Sequence, residues 1–161
     1  MQTQLCFRHN SFLKEGENLA SAQWQTGDMM ALITEFFEQD DLQQLALDVG
    51  LYLDCPLLVL DDAFRVVAHF CPVGFSDPLF RSAVSQGAIT YEASAVISKS
   101  QALREGSADM IKLEESSFRR RFAPLICTGV RLGYLICVDT DGHLQKIPAE
   151  IWRQIDLILA K

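Results

Sequence analysis

With 161 residues, 49% of them hydrophobic, the chain has enough apolar surface for one packed core and too little for two. A formal charge of -7 and a pI near 4.9 argue against a surface that grips a phosphate backbone, so no direct nucleic-acid contact is expected of this segment. No window approaches the roughly 20 apolar residues of a membrane span, and no basic stretch precedes an apolar run at the start, so a cytoplasmic chain without membrane contact is expected.

Residues 1–27 scatter Leu5, Phe7, Phe12, Leu13, Leu19 and Trp24 without a firm period and read as an N-terminal arm, a short helix or an extended piece. Residues 28–161 then form the domain. Asp28 is a plausible cap for a first helix carrying Met29, Met30, Ile33, Phe36 and Phe37 on one face. Asp40 or Asp41 caps a second, with Leu42, Leu45, Ala46, Val49 and Tyr52 at helical spacing; the two are consecutive or fused into one bent helix. The many large apolar groups on the first of the two leave room for a subunit interface.

Pro56 introduces Leu57, Leu58, Val59 and Leu60, and after Asp61-Asp62-Ala63 the run from Phe64 to Phe70 returns, a hairpin turned by aspartates that can bond their own backbone. Asp77-Pro78 is a cap followed by a first-turn proline, and it opens a helix with Leu79, Phe80, Ala83 and Val84 inside and Gly87 at its end. From Ala88 to Leu103 the pattern allows a brief strand at Ile89 and Tyr91 and a frayed helix after it. Residues 106–117 read as a loop with Met110, Ile111 and Leu113 as a short extended piece. Arg119 to Thr140 is the centrepiece: two strands around Thr128-Gly129-Val130-Arg131, apolar at nearly every position and therefore buried on both faces. Pro148 starts a last helix with Ile151, Trp152, Ile155, Ile158 and Leu159 on one side. No capping signal closes it, so it either continues into a downstream domain or stops bluntly.

This order of elements gives an α+β class with a mostly antiparallel sheet and helices on both faces. The runs Cys55-Pro56-Leu57-Leu58-Val59-Leu60-Asp61, Phe64-Arg65-Val66-Val67-Ala68, Arg121-Phe122-Ala123-Pro124-Leu125 and Leu132-Gly133-Tyr134-Leu135 resemble GAF-like sensor domains, most of all those of PucR-type bacterial transcription regulators. The resemblance covers about residues 40 to 160. It implies a GAF/PAS-like fold and a sensing and dimerisation module for an unknown small molecule, with the DNA-binding part outside this chain and a homodimer formed through the first and last helices. A ligand-free dimerisation module is the alternative. A thiol-dependent GAF-fold reductase is a further one.

The pocket of such a domain lies between one sheet face and the helices joining the hairpins, where Phe70, Cys71, Phe75, Phe80, Tyr91 and Phe122 either line an apolar cavity or fill a solid core. Arg119-Arg120-Arg121 is the chain's basic cluster. At least one of the three, with Arg121 as the candidate, is expected to point under the covering helices and meet an anion, unless all three are solvated or paired with Glu114 and Glu115. The ligand-binding candidates are thus Phe70, Cys71, Phe80, Tyr91, Arg121 and Phe122.

No catalytic residue is assigned and no enzyme activity is expected. His9, His69 and His143 are too dispersed to predict a metal site, and no phosphate-cradling or metalloprotease motif calls for a cofactor. The cysteines Cys6, Cys55, Cys71, Cys127 and Cys137 are odd in number, widely spaced and mostly beside apolar runs, which fits free thiols better than disulfides. Cys71, at a strand end, is the one thiol that a reductase reading would test.

Overall fold

A computed structural model describes residues 34–36 and 38–161. The expected N-terminal arm, the Asp28 cap and most of the first helix lie outside the described residues; Thr34, Glu35, Phe36 and Glu38 are helical. The regular elements are α1 (Leu42–Leu53), β1 (Leu57–Asp61), β2 (Val66–Phe70), α2 (Pro78–Gln86), α3 (Tyr91–Lys99), the single turn α4 (Gln101–Arg104), β3 (Asp109–Lys112), β4 (Arg119–Cys127), β5 (Val130–Asp139) and α5 (Ala149–Leu159), with a 3-10 turn at His143–Lys146 before the last helix.

The strands form one five-stranded sheet in the order β2-β1-β5-β4-β3, antiparallel throughout. Because successive side chains on a strand point to opposite faces, the sheet divides the core into two layers. Leu57, Val59, Ala123, Leu125, Leu135 and Cys137 face α1 and α5, where Leu45, Val49, Ile151, Ile155 and Ile158 cover them. Leu58, Leu60, Phe122, Tyr134, Ile136 and Val138 face α2, α3 and α4, where Phe80, Ala83, Ile97 and Leu103 cover them. The double burial expected of the central hairpin holds from Arg120 to Leu125 and from Gly133 to Asp139. It fails at the tip, where Ile126, Val130 and Leu132 are exposed. The neighbouring strands have ended by then, since β1 pairs only as far as Asp61 with Gly133 and β3 only as far as Asp109 with Phe122. Pro124 lies beyond that end of β3, in the part of β4 whose outer side needs no donor.

Local chemistry accounts for the boundaries. Asp41 caps α1 by accepting the N–H groups of Gln43 and Gln44 at 2.9 and 3.3 Å. The Asp61 carboxylate accepts from the Ala63 and Arg65 N–H groups at 3.0 and 2.9 Å, which closes the first hairpin with Phe64 in the left-handed region at φ 62°. In the central hairpin Thr128 and Gly129 both have positive φ, 49° and 80°, the backbone of a tight turn matched to strand twist.

One expectation is corrected here. Tyr91 opens α3 instead of forming a strand, because the Thr90 hydroxyl accepts the Ala93 N–H at 3.2 Å and starts the helix there. The short extended piece expected within residues 106–117 is present as an edge strand, β3, whose pairing with Arg119 to Phe122 no local pattern announces.

Close approach explains one glycine in particular. A Cβ on Gly133 would lie 1.8 Å from the Leu60 carbonyl oxygen, so β5 can pack against β1 only with hydrogen at that position.

Candidate functional site

Consecutive arginines on β4 serve opposite layers. Arg119 is exposed, while Arg120 and Arg121 are buried. Arg120 points toward α2. Its guanidinium pairs with Asp77, and its Nη1 donates to the Ser116 hydroxyl at 2.8 Å and to the Phe118 carbonyl at 3.1 Å. Asp77 also accepts the Phe80 N–H at 3.0 Å as the cap of α2, and the Ser116 hydroxyl at 2.7 Å. Burial lowers the pKa of the Arg120 guanidinium, and Asp77 opposes that shift.

Arg121 points the other way. Its two terminal nitrogens grip Asp156 of α5 at 3.2 and 2.8 Å, and its guanidinium carbon sits 3.9 Å from the centre of the Trp152 ring. Burial raises the pKa of Asp156 despite this partner. The expectation that Arg121 opens toward the pocket is therefore corrected, with a simple cause: Arg121 and Phe122 are adjacent on a strand and cannot share a face. Neither Glu114 nor Glu115 pairs with these arginines among the described residues.

The other predicted site residues separate as well. Phe80 and Phe122 are buried together beneath α2 and α3, beside a void of about 30 Å³ also lined by Leu58, Ala93 and Arg120. That is room for a water or two, so this layer is a nearly solid core. Phe70 turns to the opposite layer, and its ring abuts Gly50 of α1. Tyr91 is 83% exposed at the start of α3.

A larger cleft, about 240 Å³, opens where β2 ends and α2 begins, and Phe80 and Cys71 do meet there. Its other walls include Phe75, Val84, His69, Arg81 and Ser76, with the buried Asp77 behind them. The Phe75 and Phe80 rings meet edge to face, 5.5 Å between centres. His69 is held from behind by Gln43, whose side-chain amide donates to the His69 carbonyl at 2.8 Å and accepts its N–H at 3.1 Å. That amide takes up the outward hydrogen bonds of an edge strand. Although Cys71 is exposed, the desolvation it does meet raises its thiol pKa, and the positive charge of Arg81 only partly offsets this, so the thiol stays protonated at neutral pH.

Sequence spacing also missed a juxtaposition of Asp139, Asp141 and His143, whose ligand-type atoms lie within 4.8 Å of one another. The only local signal, Asp139 to His143, had the composition of a turn. Both ring nitrogens of His143 are engaged, Nε2 with the Leu53 carbonyl at 2.8 Å and Nδ1 with the Asp141 carboxylate. The ring thus fastens the turn after β5 to the C-terminal end of α1. Partial burial works against its charged form, but the Leu53 carbonyl and Asp141 prevail and raise its pKa. Among the described residues Cys55 and Cys137 are buried, Cys71 is exposed, Cys127 is half-buried, and all four are free thiols; Cys6 lies outside the described residues.

This arrangement, a five-stranded antiparallel sheet of order 2-1-5-4-3 with helices on both faces, is that of a GAF domain. The GAF domain of a phosphoenolpyruvate-protein phosphotransferase from Coxiella burnetii aligns with 89% of this chain and 93% of its own length, at 14% identity and a TM-score of 0.54. The GAF domain of the Acinetobacter phosphoenolpyruvate-protein phosphotransferase covers 90% of this chain and 95% of its own, at 11% identity and a TM-score of 0.48. At such identity the likeness is one of fold, and the chain is a GAF-like α+β domain. No family model matches the chain, and no curated protein does. No helix among the described residues is long and apolar enough to cross a membrane.

Proposed function

We propose that the chain is a non-enzymatic sensing and dimerisation domain of a cytoplasmic bacterial transcription regulator of the PucR type, in which a small molecule at the β2–α2 cleft biases the first and last helices and DNA is bound by another segment. One observation carries this reading. The helix that walls the cleft is anchored through Asp77 to Arg120, and the next residue, Arg121, is anchored to Asp156 on α5, so adjacent residues of one central strand join the cleft to the last helix. A displacement of α2 by a ligand has a short, stiff route to α5. The first predicted helix lies mostly outside the described residues; exposed leucines on α1, the helix after it (Leu47, Leu51), and on α5 (Leu157) support a homodimer on that side of the sheet. The protonated Cys71 thiol favours binding over thiol chemistry, and the nearly solid core beneath α2 and α3 supports the ligand-free module as the competing reading.

The test is a thermal-shift screen of small metabolites, acids and neutral compounds alike, followed by hydrogen exchange with the best compound. A hit that slows exchange in both α2 and α5, and loses its effect on α5 in Asp156→Asn, is the expected result. A screen in which no compound raises the melting temperature removes the sensing role and leaves the dimerisation module.

A further inference from the structure

We infer that the β2–α2 cleft selects a small monoanion, a carboxylate on a compact apolar body, with Arg81 as the group that holds the charge. The inference rests on the sensing role proposed above and adds the ligand's chemistry.

Charge balance in the cleft points this way. Two charged side chains line it, Asp77 and Arg81. Asp77 is spent: one oxygen accepts from Ser116, and the other from the Phe80 N–H and from Arg120, whose opposite charge neutralises it. Arg81 is not spent. It donates one hydrogen bond, from Nη2 to the Ser76 hydroxyl at 2.8 Å, and takes part in no ion pair among the described residues. This leaves an exposed guanidinium with no ion pair among the described residues beside an apolar wall of Phe75, Phe80 and Val84. A planar fork of donors matches a carboxylate, and a single fork suits one negative charge better than a polyphosphate.

Size narrows the body. A volume of about 240 Å³ is enough for a phenyl or branched alkyl group. The perpendicular Phe75 and Phe80 rings give such a group both an edge and a face to pack on.

The experiment is calorimetric titration of the full chain with matched acids and amides: phenylacetate against phenylacetamide, and isovalerate against isovaleramide. Both acids, or one of them, are expected to bind, with the matching amide weaker by about tenfold or more, the loss of one charge-assisted hydrogen bond. Arg81→Gln should weaken the acid by a similar factor with an unchanged melting temperature, whereas Arg65→Gln, which removes an arginine paired with Asp61, should leave affinity as it was. Equal affinity for acid and amide overturns the inference, as does an acid that binds Arg81→Gln undiminished; either result leaves the sensing role standing. Binding of neither pair, while a neutral compound from the screen still binds and is blocked by Val84→Trp, likewise overturns the anion assignment alone. If nothing binds the chain at all, the sensing role falls with it.

Discussion

Asp77 shows how much one residue can carry. It caps α2, neutralises Arg120 and fixes Ser116, all in a site with almost no solvent. Its substitution by Asn keeps an oxygen for the cap but leaves Arg120 charged and buried, a loss of about 3–5 kcal/mol for a broken internal pair. Asp77→Asn should therefore lower the denaturation midpoint strongly, and Asp77→Ala more so, in urea unfolding followed by circular dichroism. His143 acts by a different route. Its folded pKa lies above 6.5, so the stability it contributes is fully present below that pH and is lost as pH rises through the folded value. Asp141, held below 3.8, contributes above that pH and loses its part as pH falls through its own folded value. Unfolding curves between pH 5 and 9 should show stability declining with rising pH in the parent chain and a flatter profile in His143→Gln. The long-range partners of Asp77 and His143 were not legible beforehand. Asp77-Pro78 announced a helix cap, which it is, but the partner 43 positions away is set by how α2 lies on the sheet.

At the scale of elements, the central hairpin was readable because near-continuous apolar runs can satisfy themselves only between two covering layers. What the runs did not say is where the covering stops. The exposed tip at Ile126, Val130 and Leu132 depends on the lengths of β1 and β3, strands that lie elsewhere in the chain. The spacing of the strands makes two glycines unequal. On Gly133 a Cβ would meet the Leu60 backbone at 1.8 Å, and on Gly50 it would meet the Phe70 ring at 2.1 Å. A half-buried ring can rotate aside and a paired strand cannot. Gly50→Ala is expected to cost about 1–3 kcal/mol, the range for overpacking, and Gly133→Ala more than about 4 kcal/mol, the level of an exceptional lesion. Equal losses in chemical denaturation would show that β1 and β5 can part as easily as a side chain turns.

For the whole molecule, a dimer through α1 and the last helix has a direct check. Leu51 and Leu157 are 46% and 49% exposed, so lysine at either position removes apolar surface from α1 or α5 without opening the core. Light scattering after size exclusion should show a dimer for the parent and a monomer for Leu51→Lys with Leu157→Lys, with both melting cooperatively; a monomeric parent at micromolar concentration ends the interface proposal. By itself the sequence determined the kinds of element, most of their ends and the α+β layering, because periodicity, aspartate caps and prolines act over a few residues and need no distant partner. It also carried the resemblance to GAF-like domains, and the fold agrees with that much of it. The tertiary structure decided which side chains meet. It turned Arg120 and Arg121 to opposite layers, moved Tyr91 into solvent, closed the expected pocket to about 30 Å³ and opened a cleft at the sheet edge where Arg81 keeps an unspent charge. Those outcomes depend on strand register and on the seating of helices over the sheet, which are set by contacts between residues far apart in the chain.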